Sequence, residues 1–155
     1  LATNLPVGDL AAAVEKLEWY ALRWKMEVFH KVMKSGCCAE EARLETAERL
    51  AKFLALVAVV SWRIFFLTMS ARANPEVEPE TILTPAEIAT LDGIDAARAK
   101  PRILRKTLAT YLLQIAILGG YLARNHDPPL GNMVVWRGMT RLHDIAFGIS
   151  IGTRR

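Results

Sequence analysis

The residues best suited to chemistry lie in one short stretch, residues 20–34. Its polar side chains recur three or four positions apart and are Tyr20, Arg23, Glu27, Lys31 and Lys34. At about 100° per residue, this spacing places all five within a sector of roughly 80° on one helix face. A carboxylate among cations suits metal-dependent chemistry on a phosphodiester, because the carboxylate binds the divalent ion while the cations neutralise phosphates.

Each side chain on this face has a functional interpretation and a structural alternative. In the functional interpretation Glu27 binds the metal ion, the cations contact DNA phosphates, and the rings of Tyr20 and Trp24 offer a surface on which an unstacked base could lie. In the alternative the face is solvated, Glu27 forms salt bridges with Arg23 and Lys31, and Trp24 is partly buried at the edge of the core. Composition alone favours the alternative, since such charge patterns are common.

The other side of the same helix is apolar. Its residues are Leu22, Met26, Phe29, Val32 and Met33. An apolar stripe opposite a charged one is typical of a helix packed on the body of a protein. We therefore expect these five side chains to face the core.

A family resemblance gives the polar face a more specific meaning. The pattern Tyr20-x2-Arg23-x3-Glu27-x6-Lys34 resembles the Y-(2)-R-(3)-E-(6)-K signature of DDE transposases of the insertion-sequence-four family. The string R-W-K-M-E-V-F-H-K-V-M-K-S-G resembles the corresponding stretch of the Tn-five-type members. Residues 1–6 resemble the end of a catalytic-domain strand, and weaker similarity continues through 82–85, 118–120 and 136–138. The resemblance thus covers essentially the whole chain, most specifically at the signature.

The resemblance implies a role for each residue of the face. Glu27 would be the third acidic ligand of an RNase H-like site that uses Mg²⁺ or Mn²⁺ to cleave DNA and transfer strands at transposon ends. Tyr20, Arg23 and Lys34 would hold transposon-end DNA around a flipped base, with Lys31 and Trp24 as neighbours.

The resemblance also implies a dimeric partner. In this family the helices after the catalytic core mediate dimerisation and synapsis of two transposon ends. Residues 131–147 would be that element here, with an amphipathic face formed by Val135, Met139, Leu142 and Ala146. A bacterial cytoplasmic location, at the nucleoid when DNA is bound, follows from the same resemblance.

The two upstream aspartates of the family have no counterpart that can be carried over. Asp9, Asp92, Asp95, Asp127 and Asp144 fall at expected cap, turn or helix-surface positions. One carboxylate does not hold two Mg²⁺ ions, which give up their water reluctantly. We therefore expect the intact protein to be an enzyme and this chain alone neither to cleave DNA nor to bind metal. The first residue, Leu1, favours a piece of a longer protein.

Hydrophobic periodicity and capping signals predict a mostly α fold, with at most a remnant strand at residues 1–6. The acidic, proline-containing segment 76–80 suggests a division into residues 1–74, the last catalytic-domain helices, and 75–155, a dimerisation region. The predicted helices cover residues 11–18, 20–34, 47–72, 85–93, 102–124 and 131–147, with a possible kink between the first two. We also expect close backbone packing at Gly119 and Gly120.

The amino-acid composition excludes few classes of function. The net charge is +4 over 155 residues, which suggests some affinity for anions. Cys37 and Cys38 are adjacent and are expected to be reduced. Two other functions remain open: a regulatory helical module that dimerises with a full-length transposase and inhibits it, and a membrane-associated helical protein. Arg63 interrupts the apolar run 53–69, and the uninterrupted part is about half the roughly 20 residues a span needs, so we expect a buried core helix and no membrane contact.

Overall fold

The computed structural model describes residues 3–98 and 105–152, and within these ranges the chain folds into α-helices joined by short turns. The mostly α prediction is confirmed. The helices are α1 (Leu10–Ala21), α2 (Arg23–Lys31), α3 (Ala47–Ala73), α4 (Pro85–Ala96), α5 (Leu108–Leu118) and α6 (Asn132–Gly152). A π-helical turn, Val32–Gly36, follows α2, and 3₁₀ turns lie at Ala39–Glu41 and Pro79–Thr81.

Several helices begin at the polar residues that the sequence indicates. The Asp9 carboxylate accepts a hydrogen bond from the Ala12 amide at 2.7 Å and so caps α1. Thr84 and Glu87 form a reciprocal capping box at the start of α4, with Pro85 at the first helical position. These contacts satisfy amides that the first turn of a helix leaves without partners.

One hydrophobic core joins the two predicted portions of the chain. It contains Ile64 and Leu67 of α3, Ile115 of α5 and Leu142 of α6, each at most 2% exposed. The proposed boundary near residue 74 is therefore not a break in packing, because α3 lies before it and α5 and α6 after it.

The backbones of α5 and α6 come close together at two glycines. A Cβ atom added to Gly119 would lie 1.8 Å from the Val134 carbonyl oxygen, and one added to Gly138 would lie 1.8 Å from that of Ile115. Only glycine fits at either position. The predicted close packing is confirmed at Gly119, whereas Gly120 lies in open space and adopts a positive φ of 100°.

The helix bounds differ from the predicted ones in three places. Helix α5 ends at Leu118, before residue 124, because the backbone turns at Gly120; Leu122 beyond it is 60% exposed. Helix α4 continues through Gly93 to Ala96, and Ile88 and Leu91 are among its buried residues. Helix α6 runs on to residue 152. Residues 3–6 form no strand, and positions 1–2 and 102–104 lie outside the described residues.

Helix α3 is buried on one side only. It is long and apolar enough, by length and composition, to span a membrane, and 28% of its most apolar window is buried. Ile64 and Leu67 face the core, whereas Leu56, Val59 and Trp62 are more than half exposed. The expectation of a buried core helix is thus confirmed for one face, and the absence of membrane contact stays a prediction.

Candidate nucleic-acid interface on α1 and α2

A break at a single residue shapes the signature segment. Leu22 separates α1 from α2 while keeping a near-helical backbone, with φ −72° and ψ −14°. Its amide bonds back to the carbonyls of Glu18 and Trp19 at 3.2 and 3.1 Å. A division between the two helices is therefore present, but it lies at Leu22 and not between residues 18 and 20 as predicted. Tyr20 is at the end of one helix and Arg23 at the start of the next.

The guanidinium of Arg23 contacts both of its signature neighbours. Its Nε lies 3.2 Å from Oε1 of Glu27, and its Cζ lies 5.9 Å from the centroid of the Tyr20 ring. The side chains of Arg23 and Glu27 are each 64% exposed. Phenol, guanidinium and carboxylate therefore share one open surface, and the salt bridge expected for a solvated face is present there too.

The two lysines of the face occupy different surroundings. Lys34 lies in the π-helical turn, and its Nζ is 2.9 Å from Oε1 of Glu40. A π-helical turn alters the angle between residues before and after it and is frequent at functional sites. Lys31 is exposed, and none of the carboxylates in residues 3–98 and 105–152 pairs with it. Glu27 is bridged to Arg23 and not to Lys31.

The ring of Trp24 is 45% exposed and lies outside the core. It is accessible for stacking from solvent. We name the exposed set Tyr20, Arg23, Trp24, Glu27 and Lys31 the signature face.

The opposite, apolar side of this segment packs only in part. Val32 is fully buried, and Phe29 and Met33 pack against the core, as expected. The expectation is wrong for Leu22 and Met26, which are 51% and 55% exposed. The core lies beneath the C-terminal half of α2 only, and no residue of α1 is buried.

Aromatic contacts hold that half of α2 against α3. The ring centroid of Phe29 is 6.4 Å from that of Trp62 and 6.3 Å from that of Phe65, both in edge-on geometry. Such pairs contribute about 1 kcal/mol beyond the area they bury. The C-terminal end of the signature face therefore packs against α3, whereas its N-terminal end, on α1, has no buried residue beneath it.

Three of the four residues expected to form a dimer contact are internal. Val135, Met139 and Leu142 are at most 4% exposed, and Ala146 is partly buried. Val135, Met139 and Leu142 belong to the core of this chain, whereas Ala146 does not; a dimer contact made by α6 stays a prediction. The exposed apolar side chains of α6 lie toward its end, at Ile145, Phe147, Ile149 and Ile151.

A buried carboxylate links three helices and was not predicted. Glu87 of α4 is 3% exposed and accepts two hydrogen bonds from Arg63 of α3, at 2.8 and 2.6 Å. The Nε2 of His143, on α6, lies 2.7 Å from the same carboxylate. Burial alone would raise the pKa of Glu87, but hydrogen bonds from the Thr84 amide, His143 and Arg63, together with the charge of Arg63, hold it below its usual value.

The sequence signals for this network were separate. The capping box pointed to Glu87, and Arg63 stood out within an apolar run. Nothing in a single sequence joins these residues to His143, because the contact spans 56 positions.

Two aspartates near the end of α4 have structural partners. Asp92 accepts hydrogen bonds from the hydroxyl of Tyr111 at 2.6 Å and from Lys106 at 2.7 Å. Asp95 lies within α4 and is 4% exposed, so the expected cap, turn or helix-surface position is wrong for this residue. In residues 3–98 and 105–152, no three His, Cys, Asp or Glu side chains are grouped to hold a metal ion. Glu27 would therefore need carboxylates from outside these ranges.

A comparison with the models of known protein families finds no match to this chain.

Proposed function

We propose that this chain is the C-terminal part of a metal-dependent DNA transposase of the insertion-sequence-four type. In the intact protein it would contribute the glutamate of the DDE site and contacts to transposon-end DNA. The supporting observation is the signature face itself, on which Arg23 contacts both Glu27 and Tyr20 in an open position.

The weakness of the Arg23–Glu27 pair suits this role. An exposed ion pair contributes only about 0.5 kcal/mol, since water solvates both charges well and the side chains lose freedom in pairing. Arg23 can therefore exchange Glu27 for a phosphate at little cost, and a guanidinium binds phosphate through two parallel hydrogen bonds. The same exchange frees the carboxylate of Glu27.

The metal-binding role of Glu27 depends on further chain. Mg²⁺ prefers oxygen ligands in octahedral geometry, and the described residues offer it only one carboxylate at this face. The two missing aspartates would come from the upstream sheet that the resemblance implies. This chain alone would then bind DNA without cutting it.

The bare apolar side of α1 also supports a missing neighbour. Leu10 and Leu17 are 79% and 54% exposed, although they belong to α1, the helix that carries Tyr20 of the signature face. Exposed apolar stripes of this kind mark surfaces that another element covers. A catalytic sheet lying there would bring its carboxylates toward Glu27.

The partners of the proposed function are transposon-end DNA and a second copy in the synaptic complex. With Val135, Met139 and Leu142 internal, a dimer contact made by α6 would use its exposed terminal residues, such as Phe147 and Ile149. The cytoplasmic location follows from the same proposal.

The decisive test is Glu27→Gln in the intact protein, in a strand-cleavage assay with Mg²⁺ or Mn²⁺. We expect cleavage to fall by at least about 10³-fold while binding to transposon-end DNA is retained, because the amide keeps the shape but loses the metal-binding charge. Glu45→Gln, which neutralises another exposed glutamate, is the control and should cleave normally. Normal cleavage by the Glu27 variant would exclude Glu27 from the metal site and remove the basis of the proposal.

A further inference from the structure

A basic hollow lies beside the signature face. It is bordered by α2 and the π-helical turn, by the end of α3 and by the start of α6, and it has a volume of about 360 Å³. Lys31 and Arg72 line it from different helices, and Asn132 lines it from the first turn of α6. We call it the Lys31–Arg72 cavity.

The charge of this cavity is not compensated. Its lining contains two cations and no carboxylate. Elsewhere in the described residues the basic side chains often have acidic partners, as do Lys16, Arg23, Lys34, Lys52, Arg63, Arg98, Arg105 and Lys106. The only hydrogen bond from the side chain of Arg72 within those residues is a long one, 3.4 Å to the carbonyl of Leu130. Its guanidinium therefore keeps donors for a ligand.

The start of α6, which forms a third side of the cavity, adds to its positive electrostatic potential. Helix α6 is 21 residues long, begins at Asn132 and has no acidic residue in its first turn. The start of a helix carries a partial positive charge, and its first amides are free to donate. This partial charge adds to the full charges of Lys31 and Arg72, which are the main attraction for an anion in the cavity.

The cavity is continuous with the signature face through Lys31, which belongs to both. A polynucleotide that follows the face would carry its backbone phosphates past this lysine. We propose that the Lys31–Arg72 cavity binds a backbone phosphate of that DNA, with Arg72 as an additional contact residue. The inference rests on the proposed function and extends its DNA path from α2 to the junction of α3 and α6.

The test uses the 155-residue chain and a fluorescently labelled 20-base-pair DNA duplex, with binding measured by anisotropy from 50 to 200 mM KCl. Arg72→Gln is compared with Arg49→Gln. Arg49 is also on α3 and exposed, but about 35 Å away along the helix axis at roughly 1.5 Å per residue. Both substitutions remove one positive charge, so the difference between their DNA affinities measures the contribution of the cavity.

Losing one phosphate contact lowers the slope of log K against log salt by about 0.9, which corresponds to about eightfold weaker binding at 0.1 M salt. We expect this from Arg72→Gln and from Lys31→Gln, a smaller change from Arg49→Gln, and recovery of most of the slope in Arg72→Lys. Thermal melting of each variant identifies any loss of folding, and Lys31→Gln tests the cavity independently if Arg72→Gln unfolds.

Two results would overturn the inference in distinguishable ways. Equal losses from Arg72→Gln and Arg49→Gln, with a larger loss from Arg23→Ala, would exclude the cavity and leave the signature face in place. Unchanged binding in Arg23→Ala and in Arg72→Gln would contradict both the cavity and the proposed function.

Discussion

Two ion pairs of the same chemical type lie in opposite environments in this molecule. Arg23 and Glu27 meet on an open helix surface, each 64% exposed, whereas Glu87 is almost completely buried between Arg63 and His143. An exposed pair is weak and can exchange partners, while a buried carboxylate depends on the groups around it. The Arg23–Glu27 pair on α2 is thus able to exchange partners, whereas the Glu87 carboxylate holds α3, α4 and α6 together.

The glycines make the same distinction between packed and open regions. Gly138 lies in the packed crossing of α5 and α6, whereas Gly148, ten residues later on the same helix, has nothing near the position of a Cβ atom. The effect of replacing a helical glycine on stability therefore depends on whether another helix packs against it.

The largest effect on stability is expected from Gly138→Ala. The new methyl group would overlap the Ile115 carbonyl, so α5 and α6 would have to separate, at a cost of about 3 kcal/mol in the free energy of unfolding. Gly148→Ala is the matched control and should stabilise by up to about 1 kcal/mol, since alanine has the higher helix propensity. Urea unfolding measures both. Equal effects would show that the helices do not cross at Gly138.

A smaller loss, about 2 kcal/mol, is expected from Glu87→Gln. The change removes the charge that pairs with Arg63, which is partly solvated at 35% exposure, so the loss is below that of a fully buried pair. Glu48→Gln, in the exposed pair with Lys52, is the control and should cost about 0.5 kcal/mol or less.

The pH dependence of stability tests the same carboxylate. Because the folded pKa of Glu87 is lowered, its contribution is complete above the unfolded value of about 4.5 and is lost as the pH falls through the folded value. The difference in unfolding free energy between the wild type and Glu87→Gln should therefore shrink below pH 4.5. A constant difference from pH 7 to pH 3 would show that the carboxylate is not held in its charged form.

The sequence predicts local features well and distant contacts poorly. The caps at Asp9 and Thr84 depend on neighbouring residues, and the structure has both. The predicted break between the first two helices lies slightly later in the chain, at Leu22. The burial of Val135 and Leu142 could not be inferred, because an apolar helix face looks the same whether a partner is another helix of the chain or a second copy. The exposure of Met26 is the reverse case, in which the pattern is apolar but the described chain supplies no cover.

The candidate site follows the same rule. The signature face was predictable because its residues are helical neighbours, and their spacing determines which side they share. The Lys31–Arg72 cavity joins two residues that are 41 positions apart in the chain. No spacing rule relates residues at that separation. A motif thus locates the chemistry, whereas the fold determines what surrounds it.

The smallest effects on stability are expected at two exposed cations, Arg23 on the signature face and Lys34 in the π-helical turn that follows it. Arg23→Ala and Lys34→Ala should change the free energy of unfolding by about 0.5 kcal/mol or less, since both side chains are exposed and their ion pairs are solvated. In the intact protein the same substitutions should weaken transposon-end binding and reduce its salt dependence. Thermal melting and binding measured on the same preparations separate the two properties. A variant that lost stability and kept its salt slope would place these cations in the fold and not in DNA binding, and the face would then be an ordinary solvated helix surface.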